Sequence, residues 1–268
     1  MFSKSSFVLL ISLFLIFAGP ASAQSTSNKW NGKKCAVVLT YDDALNVHLD
    51  KVMPALEAAG FRGTFYLIGS SPVVSARIND WRAAAQKGHE LGNHSLNHPC
   101  DGSLPQRSFV TPENDLSKYS ASRTIQEVKV TNTLLEAIDG RKIRTFAYPC
   151  GDLRVGDSLF YNALKEDFAG ARGVTPRYLQ PGEINLSDIP AFSESKSTGQ
   201  EMIRQVKEAE QRGSVIVFLF HGVGGEHSLN VAFDEHQKLI NYLKQHKDEI
   251  WVAPMVEVAE FVKQSARQ

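Results

Sequence analysis

The feature that most constrains this chain is a repeated exchange of short apolar segments with amphipathic helical ones. Strand-like runs occupy residues 36–40, 64–68, 90–92, 144–147, 169–174, 215–220 and 250–253. Helical periodicity fills the gaps. Residues 50–59 place Val52, Leu56 and Ala59 on one face, with Pro54 expected in the first turn. Residues 119–138 align Ile125, Val128, Leu135 and Ile138 in the same way. Further helices are expected at 79–86 and 158–165, after a capping box of Ser197 and Gln200, around Phe233, Ile240 and Leu243, and beyond residue 253. Residues 99–118 are polar and read as a long loop. Such alternation predicts an α/β fold with parallel strands joined by helical crossovers. A closed barrel and an open doubly wound sheet both satisfy it. Both also gather functional residues just beyond the C-terminal ends of strands.

Residues 1–23 read as a signal peptide. Lys4 gives a positive start, residues 7–18 are apolar, and Ala21-Ser22-Ala23 fits a signal-peptidase site. The apolar run falls short of the about 20 residues that span a bilayer. Gln24 stands where a lipid anchor would need cysteine. A secreted or periplasmic protein without stable membrane insertion is therefore expected. Residues 24–268 hold no Pro/Gly/Ser-rich linker and no repeat, which favours a single domain. The 29 basic and 29 acidic side chains cancel, so no electrostatic footprint for nucleic acid is present. An exported chain can keep a disulfide, and three cysteines leave at least one unpaired within the chain.

Four strand ends carry reactive side chains. Asp42 and Asp43 follow the first apolar run; they read either as turn or cap aspartates, or as a metal ligand beside a free base. His94 and His98, four apart, can meet one cation from a helical turn or a tight loop, although surface histidines at this spacing are common. An Asp with two His would leave coordination positions open, the catalytic arrangement. Pro149-Cys150-Gly151 follows the fourth run and His221 the sixth. His227, in a Gly-rich loop, reads either as a ligand contact or, more readily, as solvent-exposed, and His48, His89, His236 and His246 carry no assigned chemistry.

Together these segments resemble the NodB-homology polysaccharide deacetylases, carbohydrate esterase family four. Thr40-Tyr41-Asp42-Asp43 stands for the first motif and His94-Ser95-Leu96-Asn97-His98 for the second. Ala147-Tyr148-Pro149-Cys150-Gly151 stands for the third and Leu219-Phe220-His221 for the fifth. Residues 61–66 and 250–254 look like the family's second and last strands. Two departures are plain: Ala147 replaces the third-motif arginine, and the fourth motif, an Asp/Trp element, is unrecognisable where residues 171–174 stand.

The resemblance implies a distorted (β/α) barrel of seven parallel strands and a metal-dependent deacetylase of an acetylated carbohydrate. It implies that Asp43, His94 and His98 hold a divalent metal, zinc above all. It makes Asp42 the base, His221 the acid and the Cys150 N–H an oxyanion donor, with Leu219 and Tyr148 against substrate. Arg172 is expected to supply the guanidinium that Ala147 lacks; the alternative is a surface arginine. A disulfide between Cys100 and Cys150 is expected, because both loops would border the same metal. Two other readings stay open: an amidohydrolase of this fold acting on a small amide or ureide, and an inactive carbohydrate-binding protein.

Overall fold

A computed structural model describes residues 1–2 and 30–266. The expected signal peptide falls largely on residues 3–29, outside the described residues. The first strand, β1 (Cys35–Asp42), is buried along its whole length. Period-two alternation divides its side chains between two layers. Cys35, Val37, Leu39 and Tyr41 join the core beneath helices α1 (Met53–Ala59), α3 (Ile78–Gln86), α5 (Gly199–Arg212) and α6 (Phe233–Gln245). Ala36 and Val38 face a second cluster with Val215, Val217 and helix α7 (Met255–Ser265). Thr40 and Asp42 continue that second row. Asp42 is thereby delivered to the end of the strand on its inner side.

The other strands are β2 (Thr64–Leu67), β3 (Glu90–Asn93), β4 (Thr145–Ala147), β5 (Gly170–Arg172), β6 (Phe192–Ser193), β7 (Val215–Phe220) and β8 (Ile250–Val252). Their order across the sheet is β5-β4-β3-β2-β1-β7-β6, with every pairing parallel. β8 shares an edge of β1 with β2: Cys35–Val37 pair with Ile250–Val252, and Thr40–Asp42 with Thr64–Tyr66. Eight strands thus fill the seven positions expected. The eighth, β6, is two residues long, too short to leave a periodic signature. The two ends of the sheet approach through residues 186–189. Ala171 N–H donates to the Leu186 carbonyl at 2.7 Å, and Ile189 N–H to the Ala171 carbonyl at 2.7 Å. The fold is a distorted barrel and not a doubly wound sheet. Among the described residues no helix is long and apolar enough to cross a membrane.

Helix α4 (Ala121–Asp139) starts on a Ser120 cap and ends at Gly140 in the left-handed region. Pro54 lies in the first turn of α1, as expected, and the short helix α2 (Pro72–Ala76) starts on a Ser71 cap. The capping box of α5 is Thr198 with Glu201, one residue beyond the expected pair. The helix expected at 158–165 is absent. Gly156 and Asp157 instead turn a hairpin between Arg154–Val155 and Ser158–Leu159, followed by one 3₁₀ turn at Phe160–Ala163. Burial of Phe160, Tyr161 and Leu164 against Phe146 and Tyr148 produced the misleading helical spacing.

Cys100 and Cys150 are joined, with Cα atoms 5.8 Å apart at a sequence separation of 50, and Cys35 is a buried free thiol. Closing a loop of that length restricts the unfolded chain by about 4 kcal/mol in the chain-entropy model. The Cys100→Ser/Cys150→Ser double variant should lose stability of that order in urea unfolding. A loss below about 1 kcal/mol would show that the bridge constrains little.

Three further histidines are buried in the apolar layers. Desolvation holds His48 and His89 at a pKa of about 4 and His236 at about 3, below the ordinary 6.5. They stay neutral in the folded protein and charge in the unfolded chain, which therefore binds more protons below pH 6.5. Stability should fall as pH drops from 6.5 towards 4, by about 1.4 kcal/mol per pH unit per histidine. Urea midpoints measured between pH 7 and 4.5 test this, and a flat profile would contradict it.

Candidate metal centre and active site

The site is assembled at the C-terminal ends of β1, β3, β4, β5 and β7. Beyond β1 the chain turns sharply, with Asp43 at φ 79° and Ala44 at φ 55°. Asp43 N–H donates to the Tyr66 carbonyl at 3.1 Å, anchoring the turn to β2. Beyond β3, Asn93 Oδ1 accepts the Ser95 N–H at 2.8 Å and Ser95 Oγ accepts the His98 N–H at 3.0 Å. The His94/His98 spacing is therefore a tight loop, with Ser95 at φ 61° and His98 at φ 52°. Cys150, at φ 55°, completes a cluster of non-glycine residues in the left-handed region. Such conformations cost of order 1–3 kcal/mol each and gather where geometry serves function.

Asp43 Oδ1 lies 3.6 Å from His94 Nε2 and 3.6 Å from His98 Nε2. The ligand-type atoms of Asp43, His94 and His98 all fall within 4.8 Å of one another. His94 Nδ1–H donates to the Ala147 carbonyl at 2.9 Å, which fixes the tautomer and leaves the Nε2 lone pair facing Asp43. Burial keeps His94 neutral, with its pKa pulled down to about 3. Asp43 is pushed up by desolvation and then by the charge of Asp42. Among the described residues, buried Asp42 Oδ1, Asp43 Oδ1 and His94 Nε2 have no hydrogen-bond partner. Unsatisfied lone-pair atoms of this kind fit a divalent cation, which would restore their lost solvation and relieve the carboxylate pair. His98 also lies near Cys100 and Cys150, but their sulfurs are bonded to each other and offer no thiolate.

Arg172 is fully buried on β5, and its Nη2 donates to Asp42 Oδ2 at 2.5 Å. Its guanidinium also lies 5.1 Å from the Tyr66 ring centroid. In register, Arg172 is the cross-strand partner of Ala147. A guanidinium thus reaches Asp42 from the strand beside Ala147, one lateral step away. Burial alone would raise the pKa of Asp42. Arg172, then His94 and His221, outweigh it and hold the carboxyl below its usual value.

His221 follows β7. His48 Nε2–H donates to the His221 carbonyl at 2.8 Å, a positioning contact that sequence reasoning missed. Desolvation lowers the pKa of His221, opposed by Asp42 and Asp43. His227 is also not the free loop residue expected. Its Nδ1 accepts the Leu229 N–H at 3.0 Å, so the proton sits on Nε2, 3.7 Å from Asp43 Oδ2. Its ring stacks on His221 with centroids 4.7 Å apart. The glycines at 222, 224 and 225 were the only cue that this loop folds back over the site. Leu219 is buried in the inner cluster, and the Tyr148 hydroxyl donates to the Ser187 carbonyl at 2.7 Å. Neither lines the cavity of about 390 Å³ beside Asp43 and His98.

The polysaccharide deacetylase family model matches residues 29–167, just over half of the chain. The Bacillus subtilis (strain 168) protein YlxY is 32% identical over 109 residues, 41% of this chain and 29% of YlxY. The chain thus spans under a third of that relative. A Mycobacterium smegmatis structure assigned to the polysaccharide deacetylases superposes with a TM-score of 0.63 at 16% identity, covering 88% of this chain and 92% of that one. PuuE allantoinase also reaches 0.63, at 11% identity, over 90% and 95% of the two chains. At such identities these two likenesses establish the fold alone. The family match takes in Asp42, Asp43, His94, His98 and Cys150, the residues that the barrel gathers at one point, and the chain belongs to the polysaccharide deacetylase family.

Proposed function

We propose that this protein is a metal-dependent deacetylase that hydrolyses N- or O-acetyl groups on a carbohydrate. The observation that carries the reading is the meeting of Asp43, His94 and His98 beside an Asp42 carboxylate held by Arg172. A divalent cation, zinc by its Asp/His₂ donor set, would be held by Asp43, His94 and His98 and would supply Lewis acidity towards the acetyl carbonyl and a water of lowered pKa. Asp42 takes the proton of the attacking water through its unpartnered Oδ1. Arg172 keeps that carboxylate ionised and aimed. His221 returns a proton to the departing amine or alcohol, with its backbone held by His48. The Cys150 N–H, on a loop pinned by the disulfide, is assigned to the developing oxyanion.

The Arg172–Asp42 pair favours an enzyme over an inactive binding protein, since a binding surface gains nothing from a buried ionised base. We further infer export with removal of residues 1–23, in keeping with the Cys100–Cys150 bridge. N-terminal sequencing of the exported protein reads the cleavage directly.

Acetate release from a panel of acetylated glycans, with and without chelator, tests the function. Release should stop on chelation and return with zinc. No release from any glycan by metal-loaded protein, or hydrolysis of allantoin instead, would overturn the reading.

A further inference from the structure

We propose that Phe109 is a docking platform for an uncharged pyranose ring of the polymer, a reading that rests on the deacetylase function above. Phe109 is 64% exposed. It stands near the tip of a turn in which Val110 N–H donates to the Arg107 carbonyl at 2.9 Å. The turn is held rigidly. Arg107 Nη2 donates to the Cys150 carbonyl at 3.2 Å and to Asp152 Oδ1 at 3.1 Å. Asp152 Oδ2 also accepts the Asp101 N–H at 2.8 Å, and the Cys100–Cys150 disulfide closes the base of the loop. An aromatic ring held in water on a preorganised loop loses little further freedom when a ligand covers it.

The ring borders the cavity that ends at Asp43 and His98. Leu45, Ile68 and Val110 supply its other apolar walls, and Asn97, Thr111 and Asn114 its neutral polar groups. No lysine or arginine lines it, and its one carboxylate, Asp43, is a candidate cation ligand. A pyranose has an apolar C–H face and a rim of hydroxyls, which match an aromatic face and amide or hydroxyl partners. Away from the metal end, a uronate or phosphorylated sugar resting on the ring would lose hydration and meet no lysine or arginine. The lining therefore selects a neutral acetylated glycan, seated so that its acetyl group reaches the metal centre while a ring rests on Phe109.

The test compares wild type, Phe109→Ala and Phe109→Trp on a neutral acetylated oligosaccharide, an acetylated oligouronide and 4-nitrophenyl acetate. Phe109→Ala should raise KM for the neutral oligosaccharide about 10-fold with little change in kcat. Phe109→Trp should restore it, and hydrolysis of the small ester should be unchanged in all three. Wild type should prefer the neutral oligosaccharide over the oligouronide at least tenfold in kcat/KM. An unchanged KM in Phe109→Ala, an equal loss on the small ester, or a preference for the oligouronide would overturn the platform. Absence of turnover on every glycan would overturn the deacetylase reading instead. Affinity electrophoresis through neutral polysaccharide then decides the platform alone: retardation lost in Phe109→Ala supports it, and retardation unchanged or absent in wild type refutes it.

Discussion

Asp42→Asn is expected to lower turnover by about 10²–10⁴-fold while leaving cation binding intact. The substitution keeps the shape of the side chain and an oxygen for Arg172, but the amide cannot take a proton from water. Asp42 lies outside the Asp43, His94 and His98 set, so metal content should match wild type. Its carboxyl is held below the ordinary value, so the base is ionised throughout the neutral range and its loss cannot be masked by choice of pH there. Steady-state kinetics on acetylated glycan, with elemental analysis of the purified variant, measure both halves. Turnover near that of wild type would assign the base elsewhere, and loss of metal would make Asp42 a ligand.

The second large effect is expected at Arg172. Its guanidinium and the Asp42 carboxylate are both buried, and removing one partner strands the other charge in a poorly solvated place. Breaking such a pair costs about 3–5 kcal/mol. Arg172→Met should lower stability by that order, read from urea unfolding. The lost cation should also raise the pKa of Asp42, so the acidic limb of the pH–rate profile should move to higher pH. Adding Asp42→Asn to Arg172→Met should recover much of the stability, because the stranded charge is gone. A single variant within about 1 kcal/mol of wild type, with an unmoved acidic limb, would mean that the ion pair neither braces the site nor tunes the base.

Much of this could be read from the sequence because strand ends in such barrels are where side chains converge. Asp42-Asp43, His94 with His98, and His221 each terminate an apolar run, and that rule alone brings them together. Arg172 was legible only as a candidate. Its partnership with Ala147 is a matter of cross-strand register, which linear spacing does not encode. His48 and His227 act across long separations, one on the carbonyl of His221 and the other over Asp43. Neither lies in a periodic segment that would have marked it. The helix expected at 158–165 is absent because Phe160, Tyr161 and Leu164, buried residues at helical spacing, follow a hairpin turned at Gly156-Asp157, a turn signal that the expectation did not include.

Arg172 also belongs to the strand at which the barrel is closed most sparingly. Beyond it the circuit is completed by amides of residues 171, 173 and 189 and not by a full strand ladder. Breathing of the sheet at this joint would carry the guanidinium away from its carboxylate, leaving the proposed metal ligands just beyond β1 and β3 undisturbed. Amide hydrogen exchange at Ala171 and Ile189 is therefore a gauge of catalytic readiness as much as of folding. On the proposed mechanism, a local opening here would part Asp42 from Arg172 while the core stays closed.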